Sequence, residues 1–220
     1  MGDRKFSAVS TLLYTLDVRP SSQGNLLRPT ESEETITTDK TETSSKITTS
    51  LSIRRLIIIT LLSWLSQIGF DFFQHAGLFA KLWLESRSAF LPPEQLFKLI
   101  PLGYLSFLIS SSMLVWLTVR FSISGWKQGA LFGLKIGGFL SCSMVLGLAS
   151  GLPIKPALLT AILFGSTAQY SIAAAVIGSG VSGAHLGRLS LKVIAFLIVV
   201  LIAYFTMQSL GLAPPMQHAR

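Results

Sequence analysis

ALLTAILFGSTAQYSIAAAVIGSGV, residues 157–181, runs for 25 positions without a charged side chain. Coiled as an α-helix, it extends about 37 Å at 1.5 Å per residue. A bilayer's hydrocarbon core is about 30 Å thick and needs only about 20 such residues. Strands of soluble proteins average about five or six residues, so the run is far too long for one. In hydrocarbon every peptide group must find its partner inside the segment, and a helix arranges that. The stretch therefore predicts a membrane-spanning helix from Ala157 to Val181.

Four more runs of this kind flank it: Leu56 to Phe79, Leu99 to Val119, Gln128 to Leu148 and Leu189 to Leu210. Their boundaries carry the expected punctuation. Arg54 and Arg55 precede the first, and Arg120 closes the second. Gly151, Pro153 and Pro156 mark the turn before the fourth. Arg188 and Lys192 introduce the fifth, and Pro214 and Pro215 end the helical region. Pro92-Pro93-Glu94 resembles a helix start, since proline tolerates a first turn and an acid suits the positive helix end. A membrane barrel would show alternating residues over many short segments, and that pattern is missing. The expected fold class is all-α: an integral membrane bundle of about five transmembrane helices with a disordered N-terminal tail.

Composition agrees. Charged residues make up 13% of the chain, about half of what a soluble globular protein carries. The charge is also uneven. Seven of the ten acids fall within the first fifty residues, leaving Asp71, Glu85 and Glu94 against twelve Lys and Arg in the remainder. The chain divides into a polar tail over residues 1–50, a bundle over 51–212 and a short C-terminal tail over 213–220. The Ser-, Thr- and Glu-rich stretch from Ser21 to Ser50 cannot bury enough surface to offset its ordering entropy. The run Phe6 to Leu16 lacks a cleavage site and is not read as a signal peptide. The basic residues of the bundle stand singly between apolar runs, which is the pattern of membrane anchors and excludes a nucleic-acid partner. With Lys46 and Arg220 included, seven flanking Lys and Arg lie on the N-terminal side and five on the other. This places the N-terminus in the cytoplasm. Trp83, Trp126 and Tyr204, near span ends, suit interfacial anchoring.

Two patterns bear on packing and function. Gly129, Gly133 and Gly137 recur every four residues in the third span, and Ser141 continues the series. Between helices in lipid, close backbone approach replaces hydrophobic drive, so this doubled G-x-x-x-G predicts a packing seam. Ala161, Gly165, Ala168 and Ala175 of the fourth span offer a partner arc. Packing within the bundle is favoured over a dimer, although a membrane-protein partner or a second copy fits the same groove. Lys135, between the glycines, is expected to snorkel to the headgroups.

The second pattern is a polar stripe in the first span: Thr60, Ser63, Gln67, Asp71, Gln74 and His75, on an arc of about 120°. That face should point away from lipid. Asp71 and His75, at i and i+4, can touch. Three readings stand side by side. Gln67, Asp71, Gln74 and His75 form an intramembrane polar site of a small transporter or channel. The stripe bonds to other helices, aided by Gln169 or Lys135. Asp71 lies at the interface, and residues 71–85 form an amphipathic surface segment. No cofactor motif is present, a single cysteine, Cys142, excludes a Cys-based zinc site, and no base is placed to activate Ser110, Ser111 or Ser112. A structural or accessory membrane protein, not an enzyme, is the expected role, with the lipid bilayer as its first partner.

Three segments, Phe70 to Leu78, Ile100-Pro101-Leu102-Gly103-Tyr104 and Gly129 to Leu134, resemble those of small multi-span bacterial inner-membrane proteins of unknown function. The resemblance covers Arg55 to Leu210. It implies an inner-membrane location and brings no activity with it.

Overall fold

Ser52 opens the bundle by accepting a hydrogen bond from the Arg55 backbone amide at 3.3 Å, which caps the first helix. The computed structural model describes residues 52–212, and the tails, with the disorder expected of the first, lie outside that range. Six α-helices and no strand occur among the described residues. They are α1 (Ile53–Phe72), which continues as a π-helical turn (Phe73–Leu78), α2 (Ala80–Glu85), α3 (Pro93–Arg120), α4 (Trp126–Gly151), α5 (Pro156–Val181) and α6 (Leu186–Ser209). Five segments are long and apolar enough to cross a membrane: Ile53–Leu78, Gln95–Arg120, Trp126–Gly151, Pro156–Val181 and Leu186–Ser209. Helix α3 begins at the Pro-Pro-Glu signal, six residues before the predicted span at Leu99.

The outward surface shows that this is a multi-pass membrane protein. Phe139 is 79% exposed, and Leu131, Trp116, Phe164, Leu191 and Ile202 are likewise turned outward. Isolated soluble proteins do not leave such continuous apolar belts uncovered. Here hydrocarbon is the solvent that covers them.

Helix α5 sits at the centre and touches every other helix. It has the lowest mean hydropathy of the five spans, 1.4 against 2.4 for the peripheral α6. Small residues explain both facts. Ala161, Gly165, Ala173, Ala174, Gly178 and Gly180 are all buried, because short side chains admit neighbours from all sides. Ile59, Leu114, Val115, Ala173, Ile177 and Val181 form the core where α1, α3 and α5 meet.

The glycine row of α4 lies on α5, in the most extensive helix contact of the chain. A Cβ on Gly129 would strike the Ala174 carbonyl, one on Gly133 the Tyr170 carbonyl, and one on Gly137 the Tyr170 side chain. The α5 face is thus Tyr170, Ala174 and Gly178, not the expected arc from Ala161 to Ala175, although Ala175 touches Gly129 at its edge. Gly165 does not belong to this seam: its missing side chain makes room for Gln74 and Phe79 of the first-span region. The seam is filled within one chain. At one end of the seam Gly125 takes a φ of +88°, which favours glycine, and its amide donates to the Gly178 carbonyl at 2.9 Å.

Arg55 does more than flank a span. Its guanidinium donates to the Gly180 carbonyl, from Nε at 3.1 Å and from Nη2 at 2.9 Å, and to the Ala184 carbonyl at 2.7 Å. It thereby ties the start of α1 to the last turn of α5 and to the connection that follows it. At the opposite end α2 lies against Ile154, Leu158 and Ala161, through Phe79, Leu82 and Trp83. Trp126 is exposed at the start of α4, as an interfacial anchor should be. Tyr204 is not such an anchor. It is 1% exposed, packed edge-on against Phe72 and beside Gly77.

The seam generates a stability prediction. Gly133→Ala adds a methyl where backbone already lies, and should cost about 1–3 kcal/mol. Gly138→Ala meets open space and should be neutral or stabilising by up to about 1 kcal/mol. Thermal unfolding of the two variants in detergent separates them; equal melting temperatures would show that the α4–α5 approach carries no stability.

Candidate functional site

Distance along α1 decides what its polar stripe can be. Counted from Leu56, the first residue after Arg54 and Arg55, at 1.5 Å per residue, Ser63 lies about 10 Å deep and Gln67 about 16 Å, in the middle of the bilayer. Asp71 lies about 22 Å along and His75 about 28 Å, approaching the far edge of a core about 30 Å thick. Ser63 and Gln67 therefore occupy the membrane interior, and Asp71, Gln74 and His75 its far side.

The interior members bond to other helices. Gln67 Nε2 donates to the Ser111 hydroxyl at 2.6 Å, and Ser110 Oγ donates to Gln67 Oε1 at 3.3 Å. Ser63 and Ser111 hydroxyls lie 3.4 Å apart, and Ser63 Oγ also donates to the Ala173 carbonyl at 3.3 Å. From α5, Gln169 Nε2 donates to the Gln67 carbonyl at 3.4 Å, while its Oε1 accepts from Gln74 Nε2 at 3.1 Å. Ser63, Gln67, Gln74, Ser111 and Gln169 are all buried. Three helices, α1, α3 and α5, are thus joined by one network. Gly165 permits it, since any side chain there would displace the Gln74 amide. Thr60 stands apart, its hydroxyl donating to the Leu56 carbonyl of its own helix at 2.9 Å.

At the boundary the stripe turns. The Phe79 amide bonds five residues back to the Gln74 carbonyl at 2.8 Å, the signature of a π-turn. The wider turn rotates the helix relative to a regular α repeat, so Gln74 stays inward and His75 swings out. His75 is exposed, against the expectation that the whole stripe points away from the surface, and Asp71 is partly buried. The two do meet: His75 Nδ1 lies 3.2 Å from Asp71 Oδ1 and 3.0 Å from the Asp71 carbonyl. Both neighbours are acceptors, so Nδ1 carries the proton and Nε2 is left without it or free to gain one. Asp71 Oδ1 also accepts from Gln74 Nε2 at 3.3 Å, which connects the pair to the interior network. The His75 ring stacks on Trp83 of α2, with centroids 4.6 Å apart. Nearby, Lys155 and Glu85 form a half-exposed ion pair at 3.0 Å.

Gln67, Asp71, Gln74 and His75 are therefore contiguous, but in two environments. Lys135 takes no part and is exposed on α4. Ser110 and Ser111 serve as hydrogen-bond partners of Gln67, a role that three adjacent mid-helix serines signal only once the facing helix is known. Among the described residues, no three His, Cys, Asp or Glu side chains converge as a metal set would. Set against known proteins, the chain matches no family model, no curated protein and no solved structure.

The 2.6 Å contact can be weighed by a double-mutant cycle. Gln67→Leu and Ser111→Ala should each destabilise the bundle. Together they should show a coupling of about 0.6 kcal/mol, up to about 1.7, as interhelical bonds in membranes do. Reversible unfolding in mixed micelles measures it, and additive effects would mean that the bond contributes nothing.

Proposed function

We propose that the chain is a structural or accessory protein of the membrane whose intramembrane polar groups hold its own helices together. One observation carries this reading. The amide and hydroxyl groups of the stripe are taken up by one another, through Gln67, Gln169 and Gln74, instead of facing a shared polar cavity. A carrier needs such groups free for its cargo. With the glycine seam filled by α5, an outside membrane-protein partner or a second copy would use the outward apolar faces of α3 and α4, where Trp116, Leu131 and Phe139 stand exposed. Nucleic acid remains excluded by the scattered placement of the basic residues.

A second reading rests on the π-turn, a feature that often marks functional sites. It begins between Asp71 and His75 and leaves the outer edge of the imidazole open. In a small transporter this pair would pass protons at the membrane boundary. Proteoliposomes holding a pH-sensitive dye decide between the two. The accessory reading predicts the proton leak of empty vesicles, unchanged by Asp71→Asn. A protein-dependent flux that Asp71→Asn abolishes would establish the transporter instead.

We further propose a bacterial inner-membrane location with a cytoplasmic N-terminus. The inner-membrane part rests on the resemblance to small multi-span bacterial proteins. The orientation rests on charge: Arg54, Arg55, Arg120, Lys127, Arg188 and Lys192 lie at the end of the bundle where α1 begins, with no acid beside them among the described residues. Lys81, Arg87, Lys98 and Lys155 lie at the other end with Glu85 and Glu94. This is the asymmetry that retains a face on the cytoplasmic side. With Cys142 replaced by Ala, Ser88→Cys in intact cells should react with a membrane-impermeant maleimide and Ser124→Cys should not. The reverse pattern would invert the topology.

A further inference from the structure

Helices α5 and α6 touch only sparsely, because α6 leans on α1 and its π-turn. The gap is a groove of about 250 Å³ open to the outside of the bundle. Its floor is Ser66 of α1, and Ile172 and Val176 of α5 face Phe196 of α6 across it. At the basic end of the bundle, Trp126 and Lys192 line it as well. From the end of α5 at Val181 to Ile172 is nine residues, about 14 Å of helix. That is the depth of roughly one leaflet of a core about 30 Å thick. The groove thus starts at the headgroup level and ends near the midplane.

Its mouth is cationic. Lys192 lines it directly. The Lys127 ammonium stands 5.6 Å from the centre of the ring of Trp126, which lines the groove. Arg188, four residues before Lys192, shares that face of α6 and is exposed. All three acids of the described segment, Asp71, Glu85 and Glu94, belong to the opposite half of the bundle. A cleft of leaflet depth with apolar walls and unopposed ammonium groups at the headgroup level complements one molecule above others. We infer that it binds a single anionic phospholipid, with an acyl chain between α5 and α6 and the phosphate between Lys192 and Lys127. This holds for either reading of the function.

The test is native mass spectrometry of the full chain in detergent, titrated with dioleoylphosphatidylglycerol or dioleoylphosphatidylcholine. Each lysine near an anionic group adds about fivefold in affinity, so one phosphatidylglycerol should bind roughly tenfold or more tightly than phosphatidylcholine. Lys127→Gln with Lys192→Gln should bring the two lipids to within about twofold, while Arg120→Gln, on the same membrane face but not lining the groove, should leave the preference intact. Val176→Phe, which fills the groove, should weaken both lipids alike. Equal binding of the two lipids by the unaltered chain would overturn the inference. So would a preference that survives the double lysine variant, or one that Arg120→Gln removes to the same extent. A dimer that Val176→Phe dissociates would show that a second copy occupies the groove in place of lipid.

Discussion

Hydrocarbon does not push helices together, since a leucine is as comfortable against an acyl chain as against another leucine. Everything that holds this bundle must therefore come from contacts that lipid cannot imitate. The structure uses two. Backbones approach closely where glycines remove the side chains, as along Gly129, Gly133 and Gly137 against Tyr170 and Ala174. Elsewhere, polar groups find one another across helices, as Gln67 finds Ser111 and Gln169. Helix α5 serves both, which is why the span of lowest mean hydropathy is also the central one. Its small residues leave α4 on one side and the Gln74 amide on another within reach of its axis.

The same constraint sorts the polar residues by depth. Uncharged amides and hydroxyls can be satisfied in mid-membrane by a few bonds each, and Ser63, Gln67 and Gln169 are placed there. A carboxylate is costlier, by about 2.5–3.5 kcal/mol at a helix centre on insertion scales. Asp71 stands near the boundary with His75 and Gln74 as partners. The π-turn makes this division, because it holds Gln74 in the interior network while presenting His75 to the edge and to Trp83. Arg55 obeys the same logic at the other end, where its guanidinium bonds to the Gly180 carbonyl in the last turn of α5 and to the Ala184 carbonyl beyond it.

Much of this could be read from the amino acids. Run length fixed the five spans, and Pro92-Pro93-Glu94 marked where α3 begins. The four-residue glycine spacing picked out the face of α4 that packs, and the i, i+4 spacing brought Asp71 to His75. Three features escaped. The face of α5 that meets α4 was misplaced because Ala, Gly and Ser occur all around that helix, so no arc stands out and Gly165 could be set on the wrong one. His75 was expected inside because a uniform 100° per residue has no place for a π-turn, which is written in no single residue. Tyr204 resembled an interfacial anchor by its position near a span end, but its ring is buried against Phe72 of α1. For the α5 face and for Tyr204 the deciding fact lay on a neighbouring helix, and for His75 in the turn of its own.

The central claim is that the outward faces of these helices are solvated by hydrocarbon. Nitroxide labels at Phe139, Ile202 and Ser88, introduced singly as cysteines in a Cys142→Ala background and reconstituted in liposomes, test it by collision with oxygen and with a water-soluble nickel chelate. Oxygen should dominate at 139 and 202 and the chelate at 88. Labels at 139 and 202 as open to the chelate as the one at 88 would contradict it.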